Sequence, residues 1–256
     1  MNLDSNIQTP PRRGAVVTGG TGAIGSAICA RLLAEGHAVI ALGHPAEVDR
    51  IDVWRAGFDA AAPITALLAD LADADAATTA MKQAEAQLGT IDLLVNAAGI
   101  TRDARFAKMA LAQWRAVLAS NLDSLFHCCQ PVFAGMCQRG YGRIVNIASV
   151  NGQKGQFGQA NYSAAKAGMH GFTMALAQEG ARYGVTVNTV SPGYIRTPMT
   201  AAIKPEALQA VCAQIPVGRM GEPDEIARAV AFLCAEDAGY ITGTNLAVNG
   251  GLYMSH

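Results

Sequence analysis

Three side chains in this sequence, Ser149, Tyr162 and Lys166, could move a proton together. Tyr162 and Lys166 stand four apart in an alanine-rich stretch, Ala160 to Tyr183, that reads as a long helix. Both therefore project from one face within its first turns. An ammonium so placed favours phenolate over phenol and should pull the tyrosine pKa below its ordinary value of about 10. A phenol tuned in that way can give a proton to a carbonyl oxygen or take one from an alcohol. Ser149 follows the apolar run Gly142 to Ile147, which reads as a buried strand, and from the strand end it can donate a hydrogen bond to the same oxygen. A Tyr-x-x-x-Lys pair alone is usually a solvated helix face. Its meaning comes from Ser149 upstream and from a glycine-rich turn near the amino end.

The elements that must position these groups follow one another regularly. Gly14–Thr18 reads as a strand, Gly19 to Gly25 as a turn, and the next segment as an amphipathic helix to about Glu35, stopped by Gly36. Further strands are expected at Val39–Gly43, Ile64–Ala69, Ile91–Val95, Gly142–Ile147, Val185–Val190 and Asn245–Val248. Helices are expected at Asp73–Leu88, Gln113–Gln138 and Ala160–Tyr183, with a last one opening at Glu222-Pro223-Asp224-Glu225. Asp73 could cap the first of these, and Asn151–Gly158 reads as a glycine-rich loop. Strands alternating with helices predict an α/β fold: a single doubly wound Rossmann domain over residues 14–256, with a seven-stranded parallel sheet flanked by helices. Residues 1–13 read as a flexible leader. In such a sheet ligands bind beyond the carboxyl ends of the strands, where Gly19, Asn96, Ser149 and Pro192 all fall.

Composition narrows the function. With 51% hydrophobic and 15% charged residues in 256, the chain has much to bury. A net charge of −1 and no basic run give no case for a nucleic-acid partner. No run of about 18 apolar residues predicts a membrane span. The six cysteines lack paired metal spacing, so no metal site is expected, and they read as reduced core residues of a cytoplasmic protein.

The spacing Ser149-x12-Tyr162-x3-Lys166, behind the turn Gly19-Gly20-Thr21-Gly22-Ala23-Ile24-Gly25, resembles that of the short-chain dehydrogenase/reductase family. The resemblance runs from about Arg13 to Gly251. It implies a dinucleotide whose pyrophosphate lies on Gly19, Thr21, Gly22, Ile24 and Gly25, although Ala23 stands where the family usually has its second glycine. It also implies that Asp70 and Leu71 meet the adenine, that Asn96-Ala97-Ala98-Gly99 lets the cofactor pass closely, and that Pro192, Gly193, Ile195 and Thr197 hold the nicotinamide and a phosphate. An asparagine matching Asn121 opens a helix kink whose carbonyl holds a water contacting the active lysine. An NAD-binding member would carry an acid at the end of the second strand. Here Gly43-His44-Pro45 stands there, with Arg50 a few residues on and Glu47 and Asp49 near it. With no carboxylate at the strand end, NADP(H) is the expected cofactor, His44 and Arg50 lying near its 2′-phosphate.

Three segments, Ser149–Tyr162, His170–Glu179 and Thr186–Ile195, together with Gly99–Asp103, closely resemble the acetoacetyl-CoA reductases of polyhydroxybutyrate synthesis. That likeness implies an acyl-CoA thioester substrate lined by Asp103, Gln156, Phe157, Gln159 and Tyr194, beneath a helical lid at about 197–220. Arg219 is left to meet a CoA or acyl-carrier phosphate where relatives often have two basic residues. It also implies a homotetramer built through the two long helices. A 3-oxoacyl-[acyl-carrier-protein] reductase, a non-catalytic dinucleotide-binding protein, and an NAD-linked alcohol or sugar dehydrogenase are the alternative readings.

Overall fold

The computed structural model describes residues 12–201 and 205–254. The strands are β1 (Gly14–Thr18), β2 (Ala38–Gly43), β3 (Ile64–Leu68), β4 (Leu93–Asn96), β5 (Gly142–Ile147), β6 (Val185–Pro192) and β7 (Asn245–Val248). They form one parallel sheet in the order β3-β2-β1-β4-β5-β6-β7. The chain moves outward to β3, then crosses back to lay β4 beside β1. That reversal opens a crevice between β1 and β4 at their carboxyl ends.

The strands read as unbroken apolar runs because helices cover both faces. On one face, α1 (Ala23–Ala34) and α10 (Pro223–Cys234) seat Ile28, Leu32, Ile226 and Val230 against Ala15 and Val17 of β1. On the other, α3 (Ala74–Leu88), α5 (Ser124–Arg139) and α7 (Ala160–Gly180) seat Met81, Cys128, Cys129, Met136 and Ala177 against Val16. Alternate β1 side chains thus enter separate cores, as the strand period of two requires. Burial pushes the Cys29, Cys128 and Cys234 thiols up to about 12, so they pack as small apolar groups.

Three expectations change. The helix expected over Gln113–Gln138 is α4 (Leu111–Leu118), a π-helical turn over Ala119–Asp123, and then α5. Asn121 sits inside the π turn, and its side-chain amide takes the place of a backbone partner by donating to the Val117 carbonyl at 2.9 Å. The expected loop Asn151–Gly158 begins instead as a short helix, α6 (Val150–Lys154), because Ser149 caps it: its Oγ accepts from the Asn151 amide at 3.1 Å. Of the expected leader, residues 1–11 lie outside the described residues. Arg13, by contrast, is pinned: its guanidinium pairs with Glu236 at 2.7 Å and stacks 3.8 Å from the Tyr141 ring centroid. Asp73 caps α3 by accepting from the Ala76 amide at 2.8 Å.

Candidate active site

Strand β5 delivers Ser149 and helix α7 delivers Tyr162 and Lys166 to the carboxyl edge of the sheet. The Ser149 hydroxyl stands near enough to the Tyr162 phenol to lower its pKa, while Lys166 Nζ lies 5.5 Å from the centre of the tyrosine ring. That ammonium is buried and donates to the Ile147 carbonyl at 2.8 Å. Desolvation pushes the Lys166 pKa down to about 7. The tyrosine shift corrects the expectation from spacing. Its pKa is raised, because burial of the phenol and then the nearby Asp103 carboxylate outweigh the hydrogen bond from Ser149. Lys166 is committed to the Ile147 carbonyl and approaches the face of the ring. The phenol is accordingly held protonated.

Asn121 is fully buried and points at the same place. Its Nδ2 donates to the Ile100 and Val117 carbonyls, both at 2.9 Å, and its Oδ1 has no partner among the described residues. A side chain on Gly99 would put its Cβ 2.4 Å from that Oδ1 and 3.4 Å from Lys166 Nζ. Gly99 therefore forms a floor, with an unused acceptor and an amine immediately below it. The sequence reading expected the backbone carbonyl of Asn121 to serve here; the structure adds its side-chain oxygen, which is an acceptor a water or hydroxyl could satisfy.

The glycine turn fits a dinucleotide for steric reasons. A Cβ on Gly25 would lie 2.0 Å from the Gly19 carbonyl oxygen, and one on Gly19 (φ 62) would lie 2.9 Å from Ala98. Only glycine lets the turn close this tightly and brings the amides at the start of α1 to the surface. Gly22 is the extended N-cap residue of α1 and Ile24 lies in its first turn. Ala97 and Ala98 are fixed against the turn through Thr18, whose Oγ1 accepts both their amides at 3.0 and 3.1 Å. Sequence reasoning missed Thr18; a hydroxyl at the very end of a central strand was its only signal. Asn96, expected at the cofactor edge and also to knit neighbouring strands, is turned inward and does the latter. Its Nδ2 donates to Asn146 Oδ1 at 2.8 Å, and Asn146 continues to Thr173 at 2.9 Å. Both side chains sit between strands and helix, and their role is to hold β4 and β5 in register.

At the end of β2 the structure corrects the sequence again. The chain turns through a short 3-10 helix, Pro45–Arg50, and brings Glu47 back so that its carboxylate accepts a hydrogen bond from the Thr21 hydroxyl. Glu47 Oε2 would lie 3.1 Å from a Cβ on Gly43. An acid therefore does stand beside the strand end, supplied from four residues beyond Gly43 in the sequence. His44 caps the 3-10 helix and its Nε2 lies 4.0 Å from Asp70 Oδ2, so both expected residues are present at this corner. Asp70 Oδ1 accepts from the Ala72 amide, and Leu71 is buried with its carbonyl 2.9 Å from His127 Nδ1. Arg50 is exposed beside Glu47 and lines the same cavity.

β6 ends at Pro192, and Gly193 packs against Asn249, where a Cβ would come within 2.8 Å. Ile195 is buried and bridges Gly221 through the neighbouring amides of Arg196 and Gly221. The Thr197 hydroxyl is engaged with Thr200 at 3.4 Å. Helices α8 (Pro198–Ala201) and α9 (Pro205–Gln214) occupy the expected lid, and residues 202–204 of it lie outside the described residues. Asp103, Gln159 and Asn151 form a chain, with Gln159 donating to Asp103 at 2.9 Å and accepting from Asn151 at 3.0 Å. Gln156 and the exposed Phe157 line a cavity of about 300 Å³ with Arg105 and Phe106. Ser149 and Tyr162 are not among the residues that line that cavity. Tyr194 is half-buried, and its carbonyl accepts from the Gly221 amide. Arg219 is engaged within the chain. Both of its terminal nitrogens pair with Glu225 at 2.8 Å, so the guanidinium is occupied by its own helix cap.

A protein-family model described as enoyl-(acyl carrier protein) reductase matches residues 19–253. The chain is 54% identical to the acetoacetyl-CoA reductase of Allochromatium vinosum over 245 residues, covering 94% of this chain and 98% of that protein. It is 52% identical to the acetoacetyl-CoA reductase of Cupriavidus necator, covering 95% and 99%. It is also 42% identical to the 3-oxoacyl-[acyl-carrier-protein] reductase of Haemophilus influenzae, covering 94% and 98%.

Proposed function

The chain belongs to the short-chain dehydrogenase/reductase family, and within it we propose that it reduces acetoacetyl-CoA, or a similarly short 3-oxoacyl-CoA, to the (R)-3-hydroxyacyl-CoA. The observation that carries this reading is the meeting of Ser149 and Tyr162 at the sheet edge, with the buried Lys166 amine 5.5 Å from the ring centre. A reduced nicotinamide dinucleotide, when bound, supplies the hydride to the substrate carbonyl carbon. Ser149 and Tyr162 meet the carbonyl oxygen from one side, and Tyr162 gives it the proton. A phenol whose pKa is raised is a proton store at neutral pH, which suits reduction. Lys166, poised at about 7, can return a proton toward Tyr162 through the polar pocket under Gly99, where Asn121 Oδ1 offers a place for a water. Gly19, Gly25, Ala97 and Ala98 would hold the pyrophosphate side, and Pro192 to Thr197 the nicotinamide side.

The sequence reading favoured NADPH because the second strand lacks an acid at its end. NADP(H) is kept as the proposed cofactor; Glu47, which stands near the strand end, is engaged with the Thr21 hydroxyl. Carrier-protein thioesters are the second reading, supported by the likeness to the Haemophilus influenzae reductase. Exposed Phe126 on α5 and Met174 on α7 support assembly through these helices into a homotetramer. Six free thiols suit the cytoplasm.

The test compares kcat/KM for acetoacetyl-CoA and for the acetoacetyl carrier-protein thioester, each with NADH and NADPH. Turnover of the CoA thioester at the higher kcat/KM is expected. A clear preference for the carrier-protein thioester, or no turnover of either, overturns the proposal.

A further inference from the structure

On the reading that the substrate is a 3-oxoacyl-CoA, we propose that Arg105 and Lys154 take the phosphates of coenzyme A. The pantetheine arm runs from Tyr162 through the cavity at the start of α7, and the two cations stand at its rim. The cavity, of about 300 Å³, opens between the segment carrying Arg105 and Phe106 and the segment carrying Gln156 and Phe157. Ala160 and Ser163 also line it, two residues before Tyr162 and one after it on α7. Ser163 Oγ is buried and has no hydrogen-bond partner among the described residues. Gln159, the N-cap residue of α7, makes no side-chain cap, so the amide end of a 21-residue helix adds its partial positive charge there. Phe106 and Phe157 are 75% and 80% exposed, an apolar pair set out toward solvent beside the opening.

The two cations are held, yet neither is neutralised. The Arg105 guanidinium carbon lies 5.7 Å from the Phe157 ring centroid, and Lys154 Nζ donates to Gln156 Oε1 at 2.9 Å. Neither pairs with a carboxylate among the described residues, whereas Arg31, Arg196, Arg219 and Arg228 all do. Asp103, the acid nearest Arg105 in the chain, is engaged by Gln159 at 2.9 Å. The two walls are also tied together. The Ala104 amide donates to the Gly158 carbonyl at 2.9 Å, and buried Asn161 donates through Nδ2 to the Arg102 carbonyl at 3.0 Å. The spacing of the cations is therefore set before a ligand arrives. A coenzyme A thioester offers matching chemistry outward from its acyl end: amides for Ser163, saturated carbons for the two rings, then phosphates for the cations. A guanidinium grips phosphate oxygens in pairs, and an ammonium adds a point charge.

Acetoacetyl-CoA and acetoacetyl-pantetheine, which keeps the reacting group and has no phosphate, test this on the intact enzyme. The ratio of their kcat/KM values should fall about fivefold or more in Arg105→Glu and in Lys154→Glu, the loss lying in KM for acetoacetyl-CoA. Arg105→Lys, which keeps the charge, should hold the ratio within about threefold of wild type. Lys82→Glu, the same change of charge at an exposed position on α3, should not move it. Added salt should lower the wild-type ratio, because charges at an open rim are screened. Thermal melting checks that each variant folds. A ratio within twofold of wild type in both charge reversals overturns the inference and leaves the substrate reading in place. An equal fall in Lys82→Glu does the same. Turnover of neither thioester by wild type removes the substrate reading, and the assignment of Arg105 and Lys154 goes with it.

Discussion

Lys166 Nζ is anchored to the backbone of β5, 2.8 Å from the Ile147 carbonyl oxygen, and so reaches the Tyr162 ring from below. This contact fixes a long, flexible side chain at one spot in a dry pocket. Ser149 stands near the phenol, and Lys166 lies beside Gly99 and Asn121.

If Tyr162 gives the proton, Tyr162→Phe should lower kcat by about 10³-fold or more, within the usual reach of acid catalysis and its positioning. The affinity for reduced dinucleotide should stay within about threefold. Steady-state kinetics with a binding titration read both numbers, and retained turnover of a 3-oxoacyl thioester would contradict the assignment.

Burial makes the charged form of Lys166 costly in the folded state, with a pKa of about 7 against an ordinary value of about 10.4 in the unfolded chain. Between these values the unfolded state binds the extra proton. The burial cost is therefore full below pH 7 and is relieved as pH rises. From pH 7 to 9 this one group should add about 2 kcal/mol of stability. Urea unfolding at the two pH values should show that gain in wild type and its absence in Lys166→Met.

Gly99→Ala needs no unusual backbone angle, yet its methyl would sit 2.4 Å from Asn121 Oδ1. Asn121 is held by two carbonyls and cannot turn away freely. Activity should fall at least tenfold with a melting temperature lowered by only a few degrees. A variant with wild-type kinetics would show that the pocket under Gly99 has no part in turnover.

The chain of side chains Asn96, Asn146, Thr173 and Thr189 is wholly buried. Asn146→Ala removes the oxygen acceptor of the Asn96 amide and one of the two hydrogen bonds of the Thr173 hydroxyl. It should cost about 2–3 kcal/mol in denaturant unfolding while leaving kcat within severalfold of wild type. A loss of kcat out of proportion to stability would move Asn146 into the reacting site.

Arg219→Ala should leave KM for acetoacetyl-CoA within twofold, because the guanidinium already spends both terminal nitrogens on Glu225. A rise of tenfold in KM would mean that the pair opens to receive a phosphate.

The order of strands and the triad were legible because their signals are local: apolar runs bounded by glycine, and a fixed i, i+4 spacing on α7. Asp73 as a cap was readable for the same reason. Contacts made by chain reversal were not. Glu47 stands four residues past Gly43 and returns only because Pro45 opens a 3-10 turn that His44 caps. Reading the strand end alone put Glu47 near this corner without showing its contact with Thr21. The tyrosine shift was misjudged because spacing gives distance without burial, and here desolvation outweighs the neighbouring polar groups. Thr18 escaped notice because a lone threonine after four apolar residues looks like any strand end until Ala97 and Ala98 fold onto it.

Ser149 Oγ accepts the Asn151 amide at 3.1 Å and stands near the Tyr162 phenol, so one oxygen atom lies between a backbone N–H and the hydroxyl proposed to react. The Asn151 amide is thereby an internal reporter on the reaction. Its proton resonance should move when a ketone takes the Ser149 hydrogen, and move back on release, giving a label-free signal of substrate engagement from a group that never touches the substrate.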